Sequence, residues 1–402
     1  MSLTLSSPPA HTEPPLADRI LGRYETGRAG PLFVVSGALH GNEPGGLDAI
    51  RRVLAKLAEA ELPLRGKLVG FAGNLAALSC RQRYVDRDLN RDWNDDDIHR
   101  LLDADPGVYT VEDHQQRALV DLFDGFEQES TGPMVHLDLH STSGDSAPFV
   151  CMADTLRNRR IALAMPVPVL FGLEEAIDGT LNSFLTERGH TALALEGGQH
   201  DHPDTTLNHE SALWMALVAA GNLDQADVPA YSVHRDRLAD AAAAIPRYLE
   251  IQHRHSIDPE DQFKMRPGFA SFCPVYRGEL LAEDRAGPLA SPFSGLMLMP
   301  LYQSQGDDGY FLARPMSRVR LYLSTVVRTL RLDWTLYLVR GLRRHPDHDD
   351  RWIISPKANH AAMTKLLAVF GFRRRLDDSG LVVAARRRPG FMGRRLNPRP
   401  LN

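Results

Sequence analysis

Between about Leu32 and Gly221 the chain repeats one pattern: a short apolar run, then residues at helical spacing, then another apolar run. Leu32 to Ser36, Lys67 to Ala72, Met134 to His140 and Ala192 to Leu195 each end near Gly, Asn or Ser, as strands buried in a sheet do. Between the first two, Leu47, Ile50, Leu54 and Leu57 recur with the period of a helix. Strand–helix–strand alternation predicts an α/β sandwich around a largely parallel sheet. Such a sheet takes its ligand beyond the carboxyl ends of the strands, so that is where chemistry is to be sought.

At 402 residues the chain is long enough for more than one domain. The division expected is a flexible lead-in over 1–16, a catalytic domain over 17–223, a helical connector over 224–256, a small β domain over 257–317, a helical and strand–helix–strand extension over 318–388, and an Arg/Pro-rich tail over 389–402. The β domain is signalled by a change to short runs punctuated by Gly268, Gly278, Gly287, Gly295, Gly306 and Gly309. The segment Arg373 to Asn402 carries nine arginines against two aspartates, a block that reads as solvated or as docking on an acidic partner. A net charge of -5 argues against a globally nucleic-acid-binding protein. No apolar run reaches the roughly 18 residues of a membrane helix; the longest, Ile161 to Leu173, contains Pro166 and Pro168. The N-terminus lacks a basic start followed by an apolar stretch, so no secretory signal is expected and the cytoplasm is the expected address. Cys80, Cys151 and Cys273 are too scattered for a disulfide framework or a thiolate metal site, and Cys80 reads as a buried small residue.

His40-Gly41-Asn42-Glu43 follows the first strand directly. Imidazole and carboxylate three positions apart reach one metal when a turn folds them together. The pair alone is common by chance; its place at a strand's carboxyl end, before Pro44-Gly45-Gly46 and a helix, gives it weight. The strand His136-Leu137-Asp138-Leu139-His140 offers the third ligand. Its period of two puts His136, Asp138 and His140 on one face, with His140 at the carboxyl end and Asp138 able to orient an imidazole. A satisfied buried network is the plainer reading of those three residues. Two histidines and one glutamate, with a coordination position left open, are the pattern of a catalytic zinc. In the run Arg83-Tyr84-Val85-Asp86-Arg87-Asp88-Leu89-Asn90-Arg91, guanidinium groups suit two-point recognition of a carboxylate, and Asn90 adds a donor. Thr191 to Leu195 ends on Glu196, followed by Gly197 and Gly198 that allow close approach. A lone Glu there, beside a metal, is placed to act as a general base. His200 and His202 read as loop residues near the mouth of that site.

Together these segments resemble the succinylglutamate desuccinylase/aspartoacylase family of the zinc carboxypeptidase clan. The motifs span roughly Leu32 to Gly198, and the segments Pro274 to Leu281 and Ala290 to Gly295 are similar to the lipoyl-like β module of that family. The resemblance implies a carboxypeptidase-like central mixed sheet flanked by helices. It implies His40, Glu43 and His140 as ligands of one zinc per chain and Glu196 as base. It also implies Arg83 as the group polarising the scissile carbonyl, and Asn90 with Arg91 as carboxylate binders. The family's second substrate-binding arginine has no match: Thr186 occupies its offset and Arg188 lies nearby.

The function so implied is zinc-dependent hydrolysis of the amide bond of a small N-acylated amino acid or related carboxylate. Its partner is that small molecule, with a homo-oligomer also admitted. A metallocarboxypeptidase trimming a peptide C-terminus is the enzymatic rival, distinguished by an open cleft. A non-catalytic scaffold on a hydrolase fold is the rival of another class; it predicts loss of at least one of His40, Glu43, His140 and Glu196, and all four are present.

Overall fold

A computed structural model describes residues 19–346, 348, 351–376 and 382–386; the expected lead-in over 1–16 and tail over 389–402 lie outside them. Eight strands build the first part of the chain: β1 (Ile20–Glu25), β2 (Arg28–Gly37), β3 (Arg65–Ala72), β4 (Val135–Thr142), β5 (Phe149–Met152), β6 (Val169–Phe171), β7 (Thr191–Gln199) and β8 (Tyr248–Ser256). They lie side by side in the order β1-β3-β2-β4-β7-β5-β6-β8. β3, β2, β4 and β7 run parallel, β1 and β5 run against them, and β6 and β8 follow the direction of β5. The sheet is therefore mixed, and its four parallel members are the four strands legible in the sequence.

Helices cover both faces, which is what apolar runs without alternation require. On one side, Gly45–Glu59 and Pro203–Ala220 bury Ile50, Val53, Leu57, Leu213 and Leu217 against Phe33, Val35, Leu137 and Leu195 of the strands. On the other, Val111–Glu129 and Leu181–Glu187 bury Leu119, Phe123, Phe126 and Phe184 against Val34, Val69, Phe71 and Ala192. Successive residues of β2 alternate between the two cores, so one strand anchors both layers. Leu54 of the first helix stays only partly buried.

The stretch expected as a helical connector over 224–256 is corrected in its second half. A helix runs over Tyr231–Ala241, but Tyr248–Ser256 is the strand β8, with Leu249 and Ile251 buried. The polar run Gln252 to His255 hides the strand pattern. Through β8 the β-rich part continues the main sheet rather than standing apart: β14 (Asp308–Pro315) pairs with β8, then follow β13 (Gly295–Leu298) and β10 (Pro274–Val275). β9 (Lys264–Met265), β11 (Leu280–Asp284) and β12 (Gly287–Ala290) form a three-stranded sheet that closes a further core around Leu281, Met297, Tyr310 and Leu312.

The extension begins with the helix Arg318–Thr329 and a 3₁₀ segment, Leu332–Leu338. A four-stranded antiparallel sheet follows, in the order Leu342–Arg344, Arg351–Ile354, Val382–Arg386, Phe372–Leu376, with the helix His360–Val369 between its strands. It is anchored on the first part by Arg328 Nη2 on Asp154 Oδ2 (2.7 Å) and Arg159 Nη2 on Ser324 Oγ (3.0 Å). No helix among the described residues is long and apolar enough to cross a membrane.

Candidate active site

β2 ends at Gly37, and Ala38, in the left-handed region at φ 54°, turns the chain so that His40 to Glu43 lies across the strand ends. Gly41 is needed there, because the Ala77 carbonyl lies where any side chain would go. Its N–H donates to the Arg83 carbonyl (3.2 Å), tying the two polar loops together. β4 and β7 pair in register His140↔Glu196, so both side chains leave the same face of the sheet at neighbouring strand ends.

His40, Glu43 and His140 each offer a ligand atom within 4.8 Å of the others, and all three residues are buried. Glu43 stands between the imidazoles, with Oε1 2.8 Å from His40 Nδ1 and Oε2 3.0 Å from His140 Nδ1. The far nitrogens are held by carboxylates: His140 Nε2 by Asp138 (2.7 Å) and His40 Nε2 by Asp88 (3.3 Å). Both Nδ1 atoms are thereby turned toward one point, the arrangement that oriented metal-binding histidines require. The donor set fits a divalent zinc: two imidazoles and one carboxylate, preorganised, buried and open on a cavity.

The electrostatics follow from the burial. Burial works against charge on Glu43, yet His40 and His140 outweigh it and hold that carboxyl well below the usual range. Burial likewise opposes charge on His140, and Asp138 and Glu43 reverse this to raise it well above an ordinary histidine. Asp138 in turn accepts from Ser36 Oγ (2.6 Å), which also contacts His136 Nε2 (2.8 Å), while His136 Nδ1 contacts Asn182 Oδ1 (3.0 Å). Burial lowers the His136 pKa, favouring a neutral ring. The alternating strand is thus a satisfied buried network and a support for His140 at once.

Glu196 is the exception. Its Oε2 is buried without a hydrogen-bond partner, and burial pushes its carboxyl up to about 7. A carboxyl that changes protonation near neutrality and faces a cavity is suited to proton transfer.

Arg83 gives its Nε and Nη2 to Asp88 Oδ2 (3.0 and 2.8 Å) and brings Nη1 to 3.6 Å from Glu43 Oε1. Asp88 and Glu43 raise its pKa against the effect of burial, so it is a fixed cation. Arg91 Nη2 binds Asp308 Oδ2 (2.8 Å), with Asp307 3.7 Å from its Nε. Asn90 accepts from the Leu181 N–H through Oδ1 (2.9 Å). His40, Glu43, Arg83, Asn90, Arg91, His140 and Glu196 all line one cavity. His200 lines it too, with Nδ1 on Ser141 Oγ (2.8 Å), whereas His202 is an exposed N-cap. Arg188 lies elsewhere, its Nε on Glu127 Oε1 (2.8 Å), and Thr186 is buried. Cys80, expected to be buried, is exposed: it closes a six-residue helix whose one fully buried residue is Ala77.

Besides Asp308, sequence reasoning missed three contributors. Glu112 receives the N–H groups of Val85 and Asp86 (both 2.8 Å) and Asn74 Nδ2 (3.0 Å), moulding the arginine loop around one buried carboxylate. Gln303 and Gln305 reach in from the β-rich part, to Asn42 (2.9 Å) and to the Arg83 N–H (3.1 Å). Glu112 sits in the first turn of a capped helix, where an acidic residue is ordinary, so no local signal marks it.

Residues 29–219 match the succinylglutamate desuccinylase/aspartoacylase catalytic domain. The succinylglutamate desuccinylase of Photorhabdus laumondii is 34% identical over 76 residues, 19% of this chain and 23% of that protein. That of Yersinia pestis is 28% identical over 111 residues, 27% of this chain and 31% of its own. The chain thus matches less than a third of the length of these curated relatives. A crystal structure of the succinylglutamate desuccinylase/aspartoacylase from Rhodobacter sphaeroides superposes with TM-score 0.52 at 17% identity, covering 72% of this chain and 87% of that one. The product-bound ectoine utilization protein EutE (DoeB) of Ruegeria pomeroyi does so with TM-score 0.50 at 20% identity, covering 73% and 87%. At these identities the likeness is one of fold, a carboxypeptidase-like α/β sheet. Motif order, strand topology and the match over 29–219 together place that part of the chain, just under half of it, in the succinylglutamate desuccinylase/aspartoacylase family as its catalytic domain.

Proposed function

We propose that the protein is a zinc-dependent deacylase that hydrolyses the amide bond of a small N-acylated amino acid or a related carboxylate. The observation that carries this is the pairing of a buried His40–Glu43–His140 donor set with Glu196, whose Oε2 is buried without a partner, on one cavity. Zinc held by those three residues supplies Lewis-acid chemistry, polarising an acyl carbonyl and acidifying a water. Glu196, deprotonated, takes a proton from the attacking water at its free Oε2 and returns it to the departing amine. Arg83, locked by Asp88, turns Nη1 toward the cavity, where it stabilises charge growing on the acyl oxygen. Asp138 and Asp88 fix the imidazole rings, and Arg91 beside Asn90 offers the guanidinium edge to a substrate carboxylate.

The segment between β13 and β14 favours a small substrate over a peptide. Met299, Leu301, Gln303, Asp307 and Asp308 line the same cavity as the metal-binding side chains, so the β-rich part closes the cleft on one side. Zinc-loaded protein assayed against a panel of N-acyl amino acids and short peptides tests the reading. Release of free amino acid from the N-acyl compounds is expected. Trimming of peptide C-termini instead would favour the carboxypeptidase alternative, and no turnover of either would favour the scaffold.

A further inference from the structure

The helix Arg318–Thr329 is built inside out. It buries Leu321 and Ser324 and holds Arg328 at 8% side-chain exposure against Asp154, while Val319, Tyr322, Leu323 and Leu330 just past its end are 67%, 69%, 52% and 62% exposed. At 100° per residue those four positions fall within one arc of about 100°, so the solvent side is a single apolar stripe. Ordinary surface helices carry the opposite polarity, and an apolar stripe left in water signals a contact surface. Further exposed apolar side chains follow in the 3₁₀ segment, where Trp334, Tyr337 and Leu338 are 60%, 58% and 79% exposed.

Within residues 318–344 the charge is almost all of one sign, and Asp347, Asp349 and Asp350 follow that stretch. Between Arg318 and Arg344 stand seven arginines and a single acid, Asp333. Arg320 and Arg328 are spent on Glu250 and Asp154. Arg318, Arg331, Arg340, Arg343 and Arg344 are exposed, and Arg344 Nη1 is tied to the Tyr337 hydroxyl (3.0 Å).

We infer that this face docks on an anionic lipid surface, independently of the hydrolytic reading. Leucine and valine side chains enter the acyl boundary, Trp334, Tyr322 and Tyr337 lie at headgroup level, and the arginines meet lipid phosphates. The charge decides between occupants. A second copy docking through the same face would set arginines against arginines, with Asp333 the single acid within 318–344 to compensate. A nucleic acid satisfies the arginines but leaves Val319, Leu323, Leu330 and Leu338 with nothing to stack on. A twelve-residue helix is too short to span, so the contact is in the plane of the surface.

The test is co-sedimentation of the full chain with vesicles of phosphatidylcholine alone, and of phosphatidylcholine mixed with phosphatidylglycerol. Binding is expected only to the mixed vesicles and falls with added salt. Leu330→Glu and Trp334→Glu should each reduce the bound fraction roughly tenfold, because each removes an apolar group from the lipid contact and adds repulsion. Arg331→Ala should give a smaller loss. All three positions are exposed, so unchanged thermal melting confirms that the variants are folded. Absence of sedimentation with the mixed vesicles overturns the inference, as does equal binding of Trp334→Glu. A dimer in light scattering that Leu330→Glu dissolves, without vesicle binding, would assign the face to a second copy instead.

Discussion

The two walls of the cavity are made in different ways. One wall is the carboxyl edge of β2, β4 and β7: three neighbouring parallel strands deliver His40, Glu43, His140 and Glu196 within a few residues of their ends. The other is an irregular stretch from far along the chain, Met299 to Asp308, reaching Arg91 through Asp308, Asn42 through Gln303, and Arg83 through Gln305. The first wall holds groups suited to chemistry, and its geometry is set by sheet register. The second touches Arg91, suited to gripping a substrate, and the backbone of Arg83, and its geometry is set by contacts between distant segments. Substitutions on the first wall should abolish turnover; those on the second should change which molecule is turned over.

The largest effect belongs to the first wall. His140→Ala should remove stoichiometric zinc, measured by elemental analysis after reconstitution, and hydrolysis with it. Asp138→Asn leaves all three ligands in place but loosens the ring of His140, so zinc affinity should fall by roughly 10–100-fold in calorimetric titration. A protein that kept its zinc as His140→Ala would detach the metal from this wall altogether.

Glu196→Gln comes next: kcat should fall by roughly 10²–10⁴ while zinc binding persists. Loss of zinc would instead make Glu196 a ligand. A second readout needs no substrate. Burial raises this carboxyl from 4.5 to about 7 in the folded chain. The folded state therefore binds the proton more tightly than the unfolded one, and the associated stability is lost as pH rises through about 7. In chelator-treated protein, the melting temperature of Glu196→Gln relative to wild type should rise between pH 5 and 8. A flat difference would mean that the carboxyl is not buried as described.

The same contrast explains what was legible in the sequence. Buried parallel strands are continuous apolar runs, so their ends, and the polar residues on them, stand out without any knowledge of partners. His40, Glu43, His140 and Glu196 were found that way, and Asp138 as the orienting carboxylate. Asp88 was visible only as one charge in a dense run; that it turns His40 depends on a loop closing over 48 residues. Glu112, Gln303, Gln305 and Asp308 were not legible at all, because each acts through a partner tens to hundreds of residues away. β8 escaped for another reason: half its length is a polar run that mimics a loop.

On the second wall, Arg91→Lys should weaken use of an α-carboxylate substrate by about 1.5–3 kcal/mol, read mainly in KM, with zinc retained. The planar fork bridges Asp308 and the cavity, and an ammonium cannot reproduce both contacts. Amidating the substrate carboxylate should harm the wild type similarly and the variant little further, since both remove one interaction. Equal activity of the wild type on free acid and neutral amide would show that this wall does not read a carboxylate.

The smallest effect sharpens the boundary of that wall. Arg188 lies near the offset where the family carries a second substrate-binding arginine, so a reading by offset alone would give it to the substrate. The structure assigns it another partner: Nε and Nη2 grip Glu127 (2.8 and 2.5 Å), Nη2 also approaches Asp124 (3.4 Å), and the cation lies over the Phe184 ring at 5.3 Å. Those contacts pin the helix Leu181–Glu187 to the helix Val111–Glu129, on the face of the sheet that carries Phe123 and Phe126. Glu127 keeps a second partner in His190 Nε2 (2.8 Å), so removing the arginine does not leave a buried carboxylate alone. Arg188→Ala should therefore lower stability by only about 1 kcal/mol, the scale of a partly exposed ion pair. KM and kcat should stay within about twofold of wild type. A KM that rose as far as that of Arg91→Lys would return Arg188 to the substrate wall, and would mean that the loop after Leu181–Glu187 rearranges when substrate enters.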